Sequence, residues 1–187
     1  IGMDEIKLDS IRKSKWNQKK QKTFEKAYDF AAELIESEAK RSNYKRSPLE
    51  INKEGFQKFI ENFPYELTPD QIKCSHSLIN DFNSPKMMDR LICGEVGFGK
   101  TEMALRASYI SYMNGFQVCL MVPTTILAEQ HYETFTKRFS GYDVDVVLLT
   151  RNLSTQEKKD VYLKILNQPN LIVIGTHALM NNKLVFN

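Results

Sequence analysis

Gly94-Glu95-Val96-Gly97-Phe98-Gly99-Lys100-Thr101 follows an apolar run, Met87 to Cys93, and leads into a helical pattern. The spacing G-x-x-x-x-G-K-T between a strand-like run and a helix is that of a phosphate-binding loop. Glycines admit positive φ and close backbone approach, so successive N–H groups can wrap a phosphate at a helix N-terminus. On this reading the residues from Gly94 through Glu95, Val96, Gly97, Phe98 and Gly99 form the cradle. Lys100 reaches the β- and γ-phosphates, and Thr101 ligates Mg²⁺. The helix is expected from Lys100 to about Met113, with Met103, Ala104, Ala107, Ile110 and Met113 as its apolar stripe. A nucleoside triphosphate with Mg²⁺ is the implied ligand; a plain glycine-rich turn is the alternative.

Upstream lies Phe63-Pro64-Tyr65-Glu66-Leu67-Thr68-Pro69-Asp70-Gln71. Thr68 followed by Pro69 gives an N-cap with proline at the first helical position, so a helix should run from Pro69 to about Asp81. Gln71, one turn in, carries both a donor and an acceptor and so matches an adenine edge, while Phe63 or Tyr65 can stack on the ring. This favours ATP over GTP. Taken alone, Gln71 is an ordinary solvated helix residue.

Downstream, a strand, a loop and a helix recur three times. Strands are expected over 116–122, 144–150 and 171–174, with helices to about Phe139, over 154–166, and as a short turn after His177. Nearly continuous apolar strands alternating with helices define an α/β fold with a parallel sheet covered on both faces. Ligands in such sheets sit outside the carboxyl ends of the strands. Pro123-Thr124-Thr125, Arg151 and Gly175-Thr176-His177 fall there with the phosphate loop. Their hydroxyls, guanidinium and free N–H groups suit phosphodiester oxygens, which makes Pro123, Thr124, Thr125, Arg151, Thr176 and His177 candidate contacts to a nucleic-acid backbone. A plain N-cap is the alternative at each loop.

The first 62 residues read as a helical arm and linker, and 63–187 as the nucleotide-binding domain. From about Ile11 to Lys40 there is no Gly or Pro, and Trp16, Phe24, Ala27, Ala31, Leu34 and Ile35 recur on one helical face. Seven basic residues and one acidic residue lie between Arg12 and Lys26, leaving the rest of this +3 chain net negative. That stretch suits nucleic acid or an acidic surface, with a solvated helix face as the alternative. A short second helix is expected over 54–62 with Phe56, Phe59 and Ile60 inward.

At 187 residues with 42% apolar and 26% charged residues, the composition is that of a globular chain with one sizeable core. No apolar run reaches spanning length and no signal-peptide pattern opens the sequence, so a cytoplasmic location is expected. Cys74, Cys93 and Cys119 form no C-x-x-C pair and are expected as buried thiols.

Gln71, Gly94 to Thr101, Pro123-Thr124-Thr125-Ile126-Leu127-Ala128 with Gln130-His131, and Gly175-Thr176-His177-Ala178-Leu179 resemble the Q motif and motifs I, Ia and Ic of superfamily-two helicases. The resemblance narrows to the branch holding RecG and the transcription-repair coupling factors. Met88-Asp89-Arg90-Leu91 before the phosphate loop, Phe98 where RecG proteins usually carry Ser, and Lys15-Trp16 in the arm are more similar to the coupling factors. It implies a RecA-like first motor lobe preceded by a relay helix, in an ATP-driven double-stranded DNA translocase. Such a motor displaces stalled RNA polymerase and recruits a nucleotide-excision-repair protein. A RecG-like fork remodeller and a non-catalytic interaction module are the competing readings.

The family's Asp-Glu-x-His box, which organises the Mg²⁺ shell and the attacking water, does not occur in this sequence, nor does a second lobe with an arginine finger. The lobe is accordingly expected to be truncated, to bind nucleotide weakly and to hydrolyse none. Sheet edges left unpaired by missing strands are expected to drive self-association.

Overall fold

The computed structural model describes residues 14–182 and 184–186. They fall into two compact units that divide between Arg46 and Ser47. The first contains α1 (Ser14–Asn43), 30 residues or about 45 Å of helix. Glu36 and Lys40 pair at 2.7 Å one turn apart, and Lys40 and Arg41 close the last turn where cations favour the helix dipole. Its apolar residues, including Phe24, Leu34 and Ile35, are exposed. The expected helical start at Ile11, the basic pair Arg12 and Lys13, and the side chain of Lys15 lie outside the described residues.

The second unit is built from α2 (Lys53–Glu61), α3 (Pro69–Phe82), α4 (Lys100–Met113), β1 (Val118–Met121), α5 (Thr125–Arg138), β2 (Val146–Leu149), α6 (Thr155–Asn167), β3 (Ile172–Gly175) and a 3-10 turn (His177–Met180). The sheet is wholly parallel in the order β1-β3-β2, with Val118 and Val146 both level with Ile172. β3, last in sequence, is central and buried on both faces, as its unbroken Ile-Val-Ile run demands. Gly175 allows its close approach to β2: a Cβ there would stand 2.2 Å from the Leu149 carbonyl oxygen.

Alternation along the strands sorts the core into two layers. Ile172, Ile174, Val118, Leu120, Val146 and Leu148 pack with residues of α2, α4 and α5. Val147, Leu149 and Val173 pack on the other side with Ile165 of α6 and Leu179. An aromatic cluster anchors the first layer: Phe59 stacks on Tyr109 at 4.4 Å and meets Phe139 at 5.1 Å. Asn114 fastens the loop before α2 to the end of α4. Its amide donates to the Glu50 and Ile110 carbonyls and accepts from the Glu50 N–H.

The α/β class, the three parallel strands and the sequence of helices match the reading above, and α4 has the expected bounds. Four details differ. The strand expected over Met87 to Cys93 is irregular chain with Leu91 87% exposed, because no neighbouring strand pairs with it among the described residues. By packing, the boundary lies at 46/47 rather than 62/63, since Phe56 and Phe59 of α2 belong to the core of the second unit. Met113 is exposed at the end of the α4 stripe. Cys93 and Cys119 are exposed rather than buried: Cys93 lies in the irregular segment and Cys119 on the uncovered face of edge strand β1.

Candidate nucleotide site and strand-end loops

The candidate phosphate loop, Gly94 to Thr101, has the backbone its glycines permit. Gly97 and Gly99 adopt φ of 85° and 72°, a region that costs any side-chain-bearing residue. Gly99 is the N-cap of α4 and offers no side chain, so the first N–H groups of the helix are uncapped. Val96 projects into solvent at 99% exposure. Lys100 folds back over the loop, its Nζ donating to the Gly94 and Glu95 carbonyls at 2.7 and 2.5 Å. The loop's own carbonyls thus hold the ammonium.

Gln71 ties α3 to this loop. Its Oε1 accepts from the Thr68 N–H at 2.9 Å, half of a capping box, and its Nε2 donates to the Phe98 carbonyl at 2.9 Å. Each end of the amide makes one bond, which leaves a second N–H on Nε2 and a second lone pair on Oε1 with which Gln71 can meet a base edge. Phe63 and Tyr65 lie beside it as an edge-to-face pair with centroids 5.4 Å apart. Phe63, Tyr65, Gln71, Gly97, Gly99 and Thr101 all line one cavity of about 980 Å³. The sequence motifs on either side of α3 are therefore brought together, although the strand expected between them is not formed.

The wall of this cavity includes charged residues that the sequence reading missed. Glu102, the residue after Thr101, is 3% exposed and accepts from Arg106 Nε at 2.8 Å and Arg138 Nη2 at 3.3 Å. Arg106 also donates to the Ser75 hydroxyl at 3.1 Å, so α3, α4 and α5 meet at one carboxylate. The sequence signal was the i, i+4 acid–base pair directly behind the phosphate loop. Nothing local marked Arg138 as its third member. No group of three metal-ligating side chains occurs among the described residues.

The other candidates lie where a parallel sheet presents its loops. Pro123, Thr124 and Thr125 follow β1, Arg151 follows β2, and Thr176 and His177 follow β3, all at strand carboxyl ends. Thr124 caps α5, its Oγ1 accepting from the Leu127 N–H at 3.2 Å. Its hydroxyl thus serves the helix, as the N-cap alternative held. Arg151 and His177 are exposed, and Thr176 makes no side-chain capping bond.

With this geometry established, the family is defined by sequence. Residues 68–185 match the model of the DEAD/DEAH box helicase family, and the chain belongs to that family. It is similar along its whole length to the transcription-repair-coupling factor of Haemophilus influenzae, at 42% identity over 187 residues. It is 39% identical over 182 residues, 97% of the chain, to the Bacillus subtilis protein of the same name. The chain spans 16% of the length of each of these relatives. Among solved structures, RecG bound to a three-way DNA junction superposes with a TM-score of 0.74 at 36% identity, covering 81% of this chain and 21% of that one. The family, the RecA-like fold and the similarity to coupling factors agree with the motif reading. No helix among the described residues is long and apolar enough to cross a membrane.

Proposed function

We propose that this chain is the nucleotide-binding part of an ATP-dependent double-stranded DNA translocase that displaces stalled RNA polymerase and couples transcription to nucleotide-excision repair. The observation that carries it is one cavity joining the aromatic pair and Gln71 to the uncapped, glycine-opened N-terminus of α4. Such a terminus supplies N–H donors and a favourable dipole for anionic phosphates. Phe63 or Tyr65 flanks adenine and Gln71 meets its edge. The backbone from Gly94 to Gly99 wraps the phosphates, Lys100 meets the β/γ oxygens, and Thr101 holds Mg²⁺. Bound Mg²⁺ neutralises developing charge on the transferred phosphoryl group. Pro123, Thr124, Thr125, Arg151, Thr176 and His177 line up at the strand ends to follow a DNA backbone without reading sequence.

In this reading the second unit, from Ser47 on, is the motor part and α1 the relay segment. The chain binds ATP but releases no phosphate by itself, because the groups that position water and stabilise the transition state are not among its residues. The RecG-like alternative has the superposition in its favour; identity to coupling factors along the whole chain favours the first reading.

Calorimetric titration with ATP and Mg²⁺, alongside Lys100→Ala, is the test. Binding that Lys100→Ala weakens at least tenfold, with no phosphate release, is expected. Lys100-dependent release would sink the assignment of catalytic groups elsewhere, and absence of binding would sink the nucleotide site.

A further inference from the structure

Arg138 closes α5 at the boundary between the aromatic core and the nucleotide cavity. Its guanidinium carbon lies over the Phe59 ring, 4.3 Å from the centroid. Phe59 is fully buried and contributes nothing to the cavity wall, whereas Arg138 is part of that wall. The guanidinium is therefore the partition between the two. Nη2 donates to Glu102, but Glu102 is shared with Arg106, so one carboxylate serves two guanidiniums whose side chains are 10% and 3% exposed. Buried charges are ordinarily paired and their donors satisfied. Here Nε and Nη1 of Arg138 have no acceptor in the protein. Lys137, the preceding residue, lines the same cavity and adds a second cation. With Nη2 of Arg106, the cluster has three unpartnered nitrogens against one unpartnered oxygen, Glu102 Oε2, so donors remain in surplus behind the cavity wall.

The aromatic pair is part of the same wall. Phe63 follows Phe59 by one turn, its N–H donating to the Ile60 carbonyl at 2.9 Å, and Tyr65 packs on Phe63. Arg138 lines the same cavity as these two rings. We propose that Arg138 is a nucleotide-contacting residue at the nucleoside end of the cavity, its guanidinium turning about its terminal bonds to meet acceptors on the base or ribose. The inference rests on the nucleotide reading above and extends it to a residue outside the phosphate loop. Glu102 sets where the guanidinium starts from; the flat face of arginine also suits stacking against a base.

The test compares ATP and ADP affinity for the whole chain, Arg138→Met and Lys100→Ala. Removing a charge-assisted contact to the nucleoside weakens both nucleotides by the same factor, about tenfold or more, whereas Lys100→Ala penalises ATP more than ADP. Should Arg138→Met fail to fold, the variant carrying Glu102→Leu, Arg106→Leu and Arg138→Met removes the buried charges together and keeps an apolar core. Equal loss for ATP and ADP in a variant with a cooperative urea transition supports the proposal. Unchanged affinity in such a variant overturns it, as does a loss confined to ATP, which would put Arg138 on the terminal phosphate. No Lys100-dependent binding by the unaltered chain overturns the nucleotide reading, and this proposal with it. Binding that needs Lys100 but not Arg138 overturns this proposal alone.

Discussion

Glu102 holds two guanidiniums inside the protein, and its neighbours show why a single substitution there is costly. Glu102→Leu would leave Arg106 and Arg138 buried without a carboxylate, a loss of about 3–5 kcal/mol. The urea midpoint should fall accordingly, and an unchanged midpoint would mean that water already compensates these charges. The backbone of Gly94 to Thr101 was readable from its spacing: glycine where φ is positive, at Gly97 and Gly99, and lysine and threonine at the helix start. Arg138 was not readable, since its partners Glu102 and Phe59 come from distant parts of the chain. Gln71 stands between these cases. Its place beside the loop followed from sequence, but its two hydrogen bonds to Thr68 and Phe98 did not.

Helix starts carried the clearest local signals. Thr68-Pro69 and Ser154 each begin a helix where the sequence placed one, and both use a reciprocal capping box. In α6, the Ser154 hydroxyl and N–H hold the Glu157 carboxyl below its ordinary range. A depressed carboxylate contributes stability above its unfolded-state pKa and loses it as pH falls through the folded value. Ser154→Ala should therefore raise the Glu157 titration midpoint toward that of a free carboxylate in an NMR titration; a midpoint that stays low would assign the shift to the residue-154 backbone N–H, which the substitution keeps. The segment from Met87 to Cys93 shows where local signals end. Its apolar run is strand-like, but strands exist only in pairs, and pairing is a property of neighbours. Among the described residues it is held instead by the ion pair of Arg90 with Asp81 and by Met88 against the core.

The layers of the second unit followed from alternation of strand and helix, and the order of its strands did not. Nothing in three similar apolar runs states that the last one inserts between the first two. That order makes β1 an edge, with Met121 51% exposed beside Cys119 on its open face. Open apolar edges invite pairing with a second copy. Light scattering should detect a dimer that grows with concentration, and Met121→Lys should shift the population toward monomer; a monomer at every concentration would dismiss edge pairing. The division between Arg46 and Ser47 was displaced from the sequence reading for a related reason. α2 looks like part of the arm in composition, yet Phe56 and Phe59 are core residues of the unit that follows.

The central position of β3 also has a consequence in time. During synthesis β1 and β2 leave the ribosome before β3, the strand to which each is bonded among the described residues. Until Ile172 to Gly175 has emerged, this sheet cannot form, and its first two apolar strands must wait as separate segments. Folding that depends on such late, long-range pairing is slow and leaves sticky intermediates exposed. A ribosome that pauses before residue 172 would hold this polypeptide in the state in which a chaperone has most to cover.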